Sequence, residues 1–151
     1  MTATVDPGDP RDPAAAALLA ASHALMQSLY PAEDNHYLSI DALCGSDIRF
    51  FIAKNRGATV GCAALAIRGG YGEVKSMFVD PAARGSGAGD ALLARLKQEA
   101  RAEGLHLLRL ETGNTLHAAH RLYLRHGFAM CGPFGEYAAN ATSVFMETPL
   151  T

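Results

Sequence analysis

Hydrophobic and polar positions follow a helical period, then a strand period, then alternate between the two. Between Pro13 and Leu29 the leucines at 18, 25 and 29 can share one helix face. Asp12 ahead of Pro13 supplies an N-cap, and Pro31 ends the run. Residues 1–11, rich in Pro, Gly and Asp, read as irregular apart from a short edge strand at Thr2–Val5. A polar loop spans residues 33–36, and a short helix is predicted over residues 39–44. From Ile48 the pattern becomes β-like: residues 48–53 and 59–67 are strand runs around the hairpin signal Asn55-Arg56-Gly57. Gly69-Gly70 turns the chain into a third strand, residues 72–79, so an antiparallel meander is expected.

Residues 86–103 then return to helical spacing, with Leu92, Leu93, Leu96 and Ala100 on one stripe. Arg95, Lys97, Glu99 and Arg101 point away from it, and Gly104 is the stop. Residues 105–112 form the next strand, and strand, long helix and strand make a βαβ unit with a parallel pairing. A helix over residues 116–126 and two closing strands, 128–131 and 143–147, complete the chain. The expected class is α/β (α+β): a mixed, mostly antiparallel sheet of six to seven strands with about four helices, in one domain spanning residues 1–151.

Composition narrows the partners. With 49% apolar residues, 19% charged residues and a formal net charge of −2, the chain has material for a core and no basic footprint for nucleic acid or an anionic membrane surface. The Ala/Leu run at residues 14–21 is too short to span a bilayer, and a cytoplasmic location is expected. Cys44, Cys62 and Cys131 are read as buried thiols rather than a disulfide or metal set. His117 and His120 have helical spacing, but no third ligand is apparent, so no metal is expected.

The chemistry concentrates at Val79-Asp80-Pro81-Ala82-Ala83-Arg84-Gly85-Ser86-Gly87-Ala88-Gly89-Asp90, a glycine-rich turn between a strand and a helix. Such a turn exposes backbone N–H groups at the positive end of a helix dipole and suits a phosphate-bearing ligand. A nucleoside triphosphate loop needs Gly-Lys-Ser/Thr, whereas Gly89-Asp90 stands here. A dinucleotide fold would not place three antiparallel strands before its glycine turn. The pattern that remains is Arg84-x-x-Gly87-x-Gly89, followed by Leu122-Tyr123-x-x-x-Gly127-Phe128. With the preceding meander and long helix, it resembles the GNAT N-acetyltransferase family from about Phe50 to Pro149.

That resemblance implies a GNAT-like fold and acetyl-CoA as cosubstrate, with direct acetyl transfer to a primary amine of a small molecule or peptide in a ternary complex and no metal. The diphosphate loop would be Arg84, Gly85, Ser86, Gly87, Ala88, Gly89 and Asp90, and Met77, Phe78 and Val79 would pair with the pantetheine arm. A backbone N–H there would polarise the thioester carbonyl. A protonated amine, pKa near ~10, must lose a proton before it attacks. Glu73 is the first candidate base and Glu111 the second. Tyr123 matches the tyrosine that protonates the leaving thiolate. Leu116 stands where many members keep an amide, which makes Asn114, two positions earlier, the candidate amide contact. The acceptor wall is assigned to Tyr30, Glu33 and His36 between the first two helices, and to Phe134 and Tyr137 in the loop before the last strand. An exposed last strand would offer a homodimer contact. The rival reading is a non-catalytic acyl-CoA-binding module; transfer to an oxygen acceptor is a third.

Overall fold

The computed structural model describes residues 3–150. Its strands are β1 (Thr4–Pro7), β2 (Ile48–Asn55), β3 (Ala58–Ile67), β4 (Gly72–Val79), β5 (Leu107–Gly113), β6 (Ala129–Cys131) and β7 (Ser143–Pro149). Its helices are α1 (Pro13–Leu29), α2 (Ile40–Leu43), α3 (Ala88–Ala102) and α4 (His117–Arg125). One seven-stranded sheet runs β1-β2-β3-β4-β5-β7-β6. Only β4 and β5 are parallel, as the helical crossover between them requires.

Local chemistry sets the element ends. Asp12 accepts from the Ala15 N–H to start α1, and the Ser39 hydroxyl accepts from the Ala42 N–H to start α2. Two core layers cover the sheet: α3 buries Leu92, Leu93, Leu96 and Ala100 against one face with Phe51, Leu65 and Leu110. On the other face α1 buries Ala15, Leu18 and Leu19 against Phe50, Ile52 and Cys62.

Several expectations are corrected. The edge strand expected at Thr2–Val5 is present but runs later, over Thr4–Pro7, where it pairs with β2 and Pro7 needs no ladder N–H. Thr2 lies outside the described residues. The buried face of α1 is Ala15, Leu18, Leu19 and Ser22, while Leu29 is exposed. Arg95 is half-buried and donates to the Val5 carbonyl instead of pointing outward. Cys44 is exposed and only Cys62 is fully buried. The last strand, β7, is interior, flanked by β5 and β6, so it offers no free edge for a homodimer; the sheet edges are β1 and β6.

One irregularity decides where the cavities fall. On β4, Ser76 and Met77 together oppose Ala63, since Cys62 pairs with Phe78 and Ala64 with Lys75. This is a β-bulge, and Ser76 takes a left-handed φ of 53° to make it. Just ahead of it β4 and β5 part: their pairing stops at Gly72–Leu108 and Glu73–Arg109. The bulge also switches the alternation of side chains. Val74, Met77 and Val79 all reach the α3 core layer, which strict alternation would forbid.

Candidate active site

Two cavities lie along the end of β4. The outer groove, about 690 Å³, is walled by the end of β4, the glycine turn and α4. The inner cavity, about 130 Å³, lies between β4, β5 and the segment after α1. Met26, Met77, Leu116, Ala119 and Tyr123 line both, so the two spaces share one wall.

The outer groove gathers backbone and side-chain groups that suit an anion. Gly85 and Gly87 both have φ of +83°, and Gly87 caps α3 without a side-chain hydrogen bond. That left-handed backbone favours glycine and leaves first-turn N–H groups facing outward at the positive helix end. Gly89 has a different reason: a Cβ there would lie 2.9 Å from Leu122 Cδ2, so glycine lets α3 start against α4. Arg84, His117, Arg121 and Arg125 add positive or polar groups to the walls. Asp90 also lines the groove, but its carboxylate accepts from His126 Nε2 at 2.9 Å and from Arg125 at 3.2 Å. The His126 hydrogen bond, then Arg125, hold its pKa below the usual carboxylate range despite partial burial. Ser86 does not line the groove; its hydroxyl accepts from the Ala88 N–H at 3.4 Å.

Inside, Glu111 and Tyr123 face one cavity. Burial raises the Glu111 pKa, and a 2.7 Å hydrogen bond from the Ser143 hydroxyl partly opposes that shift. Tyr123 is 5% exposed, and burial followed by the nearby Glu111 charge raises its pKa, so the phenol stays protonated. Ser76 Oγ, His36 Nε2 and Asn35 Nδ2, all from residues of this cavity, are buried without a hydrogen-bond partner among the described residues. Buried polar atoms of this kind mark a wall shaped for something polar.

Glu73 is elsewhere. Counting by twos along β4 would put it on the face of Met77, but the bulge reverses the phase after Lys75. Its side chain, in a residue 3% exposed, meets Arg68 Nε at 3.3 Å and Lys75 Nζ at 3.4 Å, and accepts from the Tyr137 hydroxyl. Arg68 also meets Asp47 at 3.1 Å, so the charges alternate along Asp47, Arg68, Glu73 and Lys75 and cancel. Glu73 lines neither cavity, and both of its oxygens are engaged by neighbouring side chains.

The remaining assignments divide. Tyr30 and His36 line the inner cavity; the Tyr30 hydroxyl lies 2.5 Å from Thr115 Oγ and fixes the turn between β5 and α4. Glu33 is exposed and outside it. Phe134 and Tyr137 belong to an aromatic cluster with Tyr71 and Phe145 behind the wall. Tyr137 touches the site through Lys75, whose Nζ donates to it at 2.8 Å and to the His36 carbonyl at 2.7 Å. Asn114 lines neither cavity and donates to the Ala141 carbonyl. Met77, Phe78, Val79, Arg84, Gly85, Gly87, Ala88, Gly89 and Asp90 all line the groove. Arg121 and Arg125 were missed, although His117, Arg121 and Arg125 recur every four residues and so share a helix face. His117 and His120 lie ring to ring at 5.6 Å, with His120 Nε2 on the Gly113 carbonyl.

Known proteins are similar to this chain in sequence and fold. An IAA acetyltransferase from Azospirillum brasilense is 53% identical over 124 residues, covering 81% of each chain. A crystal structure of a Klebsiella pneumoniae protein described as an acyl-CoA N-acyltransferase superposes with a TM-score of 0.83 at 36% identity, covering 99% of this chain and 98% of that one. A Salmonella typhimurium acetyltransferase structure holding acetyl-CoA has the same fold, with a TM-score of 0.73 at 24% identity over 100% of this chain and 95% of the other. The model of the acetyltransferase (GNAT) family matches residues 17–128, the stretch that carries the bulged strand, the glycine turn and Tyr123, and the chain belongs to that family.

Proposed function

We propose that this chain is an acetyl-CoA-dependent N-acetyltransferase in which Glu111 is the base and Tyr123 the acid. The observation that carries the reading is the shared wall. A groove suited to an anionic, elongated donor meets a small polar cavity at Met77 and Tyr123, with Glu111 on the cavity side. The left-handed glycines, the first-turn N–H groups and the arginines of α4 suit the diphosphate of acetyl-CoA. The splayed edge of β4 offers backbone groups to the pantetheine arm. Acetyl-CoA supplies an acetyl group activated as a thioester.

Glu111 takes a proton from the acceptor's ammonium group, which frees the nitrogen lone pair to attack the thioester carbon. As the C–N bond forms and the C–S bond breaks, the Tyr123 hydroxyl gives its proton to the departing sulfur, and the second proton that the acylated nitrogen sheds restores the phenol. A raised pKa suits Glu111 to accept a proton near neutral pH. The cavity of about 130 Å³ favours a compact amine, since an engineered cavity of about 150 Å³ holds a molecule the size of benzene. The names of the relatives support acetyl transfer, and the Salmonella typhimurium acetyltransferase structure with acetyl-CoA supports the donor.

Thiol release from acetyl-CoA, followed across small primary amines, amino acids, polyamines and aminoglycosides, tests the function. Turnover should be highest with compact amines. Binding of acetyl-CoA with no turnover across the panel would instead mean a binding module. With an accepted amine, Tyr123→Phe should lower turnover about 10²-fold. Acetyl-CoA affinity, measured by calorimetry, should change only a few-fold. Equal turnover in the variant removes Tyr123 from the chemistry.

A further inference from the structure

The loop before β7 makes a compact hydrogen-bonded turn that the transfer step does not itself use. Asn140 Oδ1 accepts from the backbone N–H groups of Thr142 and Ser143, each at 2.8 Å, which fixes the direction of its amide. Its Nδ2 then donates to Ser143 Oγ at 2.9 Å. A serine hydroxyl has one proton. With Asn140 donating to the oxygen, that proton is directed to Glu111 Oε2, 2.7 Å away. The neighbouring Thr142 hydroxyl donates to Asp34 Oδ2 at 2.8 Å, and Asp34 lines the same inner cavity. Consecutive residues of one turn therefore hold a carboxylate on β5 and a carboxylate of the segment after α1.

We propose that Ser143 is a positioning residue that aims Glu111 and sets its basicity, and that Asn140 acts through Ser143 by orienting its hydroxyl. The proposal rests on Glu111 as the base. A hydrogen bond donated to a carboxylate favours its ionised form, so the turn counters the burial that favours the protonated form. The other groups facing Glu111 are His36, Lys75, Glu73, Tyr123 and Tyr137. They are the same in every variant below, so a difference between variants reports the turn.

Two readouts separate this inference from the function it rests on. The first is the carboxyl ¹³C titration of Glu111 by NMR, with the resonance identified by its loss in Glu111→Gln. Ser143→Ala should move that titration upward by roughly one pH unit, the size expected for one hydrogen bond to a charged group. Ser143→Thr, which keeps a hydroxyl, should restore it, and Asn140→Ala should move it in the same direction as Ser143→Ala. The second is the pH dependence of kcat/KM with an accepted amine. Its acid limb should move with the titration, so that Ser143→Ala loses up to about 10-fold on the acid side of the profile and regains it in more alkaline buffer, with an unchanged KM for acetyl-CoA. An unshifted titration in Ser143→Ala, or a loss of activity equal at all pH values, overturns the inference. A shifted titration without a shifted acid limb keeps the link to Ser143 and overturns Glu111 as the base.

Discussion

Glu111→Gln is expected to lower turnover by about 10²-fold or more at neutral pH, the usual contribution of a positioned base. Acetyl-CoA affinity should stay within a few-fold, since Glu111 lines the inner cavity and not the groove. The same substitution should raise the melting temperature. Burial raises the folded pKa of Glu111, so the folded chain holds a proton that the unfolded chain releases. The associated stability is present below the unfolded carboxylate pKa and is lost as pH rises through the folded value. Above the unfolded carboxylate pKa the buried carboxyl becomes a growing burden that glutamine removes, as often holds where function and stability oppose each other. Melting curves of both proteins between pH 4 and 8 would show the gap widening with pH. A variant with native turnover would exclude Glu111 as the base.

Lys75→Met is expected to cost about 3 kcal/mol of stability, because it leaves the carboxylate of Glu73 buried with a partner removed. For a domain of this size that is a fall of roughly 6–12 °C in melting temperature. The double variant Lys75→Met/Glu73→Leu should recover most of the loss, because replacing both charges with apolar groups of similar volume leaves no unpaired ion. Glu73→Gln, which leaves the cavity residue Lys75 in place, should keep turnover within about 10-fold, because Glu73 lines neither cavity. Loss of turnover comparable to Glu111→Gln would return Glu73 to the chemistry.

Much of this site could be read from residues close together in sequence. Gly85, Gly87 and Gly89 announce a turn that needs positive φ and close packing, and all three line the groove. Leu92, Leu93, Leu96 and Ala100 mark the buried face of α3 by spacing alone, and all four are fully buried. The choice between the two glutamates was not legible. It depends on a bulge that no periodicity announces, since Ser76 is an ordinary residue in an unusual backbone conformation. The support for Glu111 comes from Ser143, 32 positions away, and is visible only once β7 lies beside β5. Asn114 was placed by proximity to a family position; its side chain instead turns to Ala141.

The register of β4 against β3 depends on the number of residues in the strand rather than on side-chain identity. A β4 lacking Ser76 could pair with β3 without interruption and stay bonded to β5 past Arg109, giving a sheet with more ladder bonds and no slot. Substitutions elsewhere would not reproduce that change, because only a lost residue resets the register. In an alignment of related chains, a one-residue gap at Ser76 would therefore separate sealed sheets from open ones more sharply than percentage identity does.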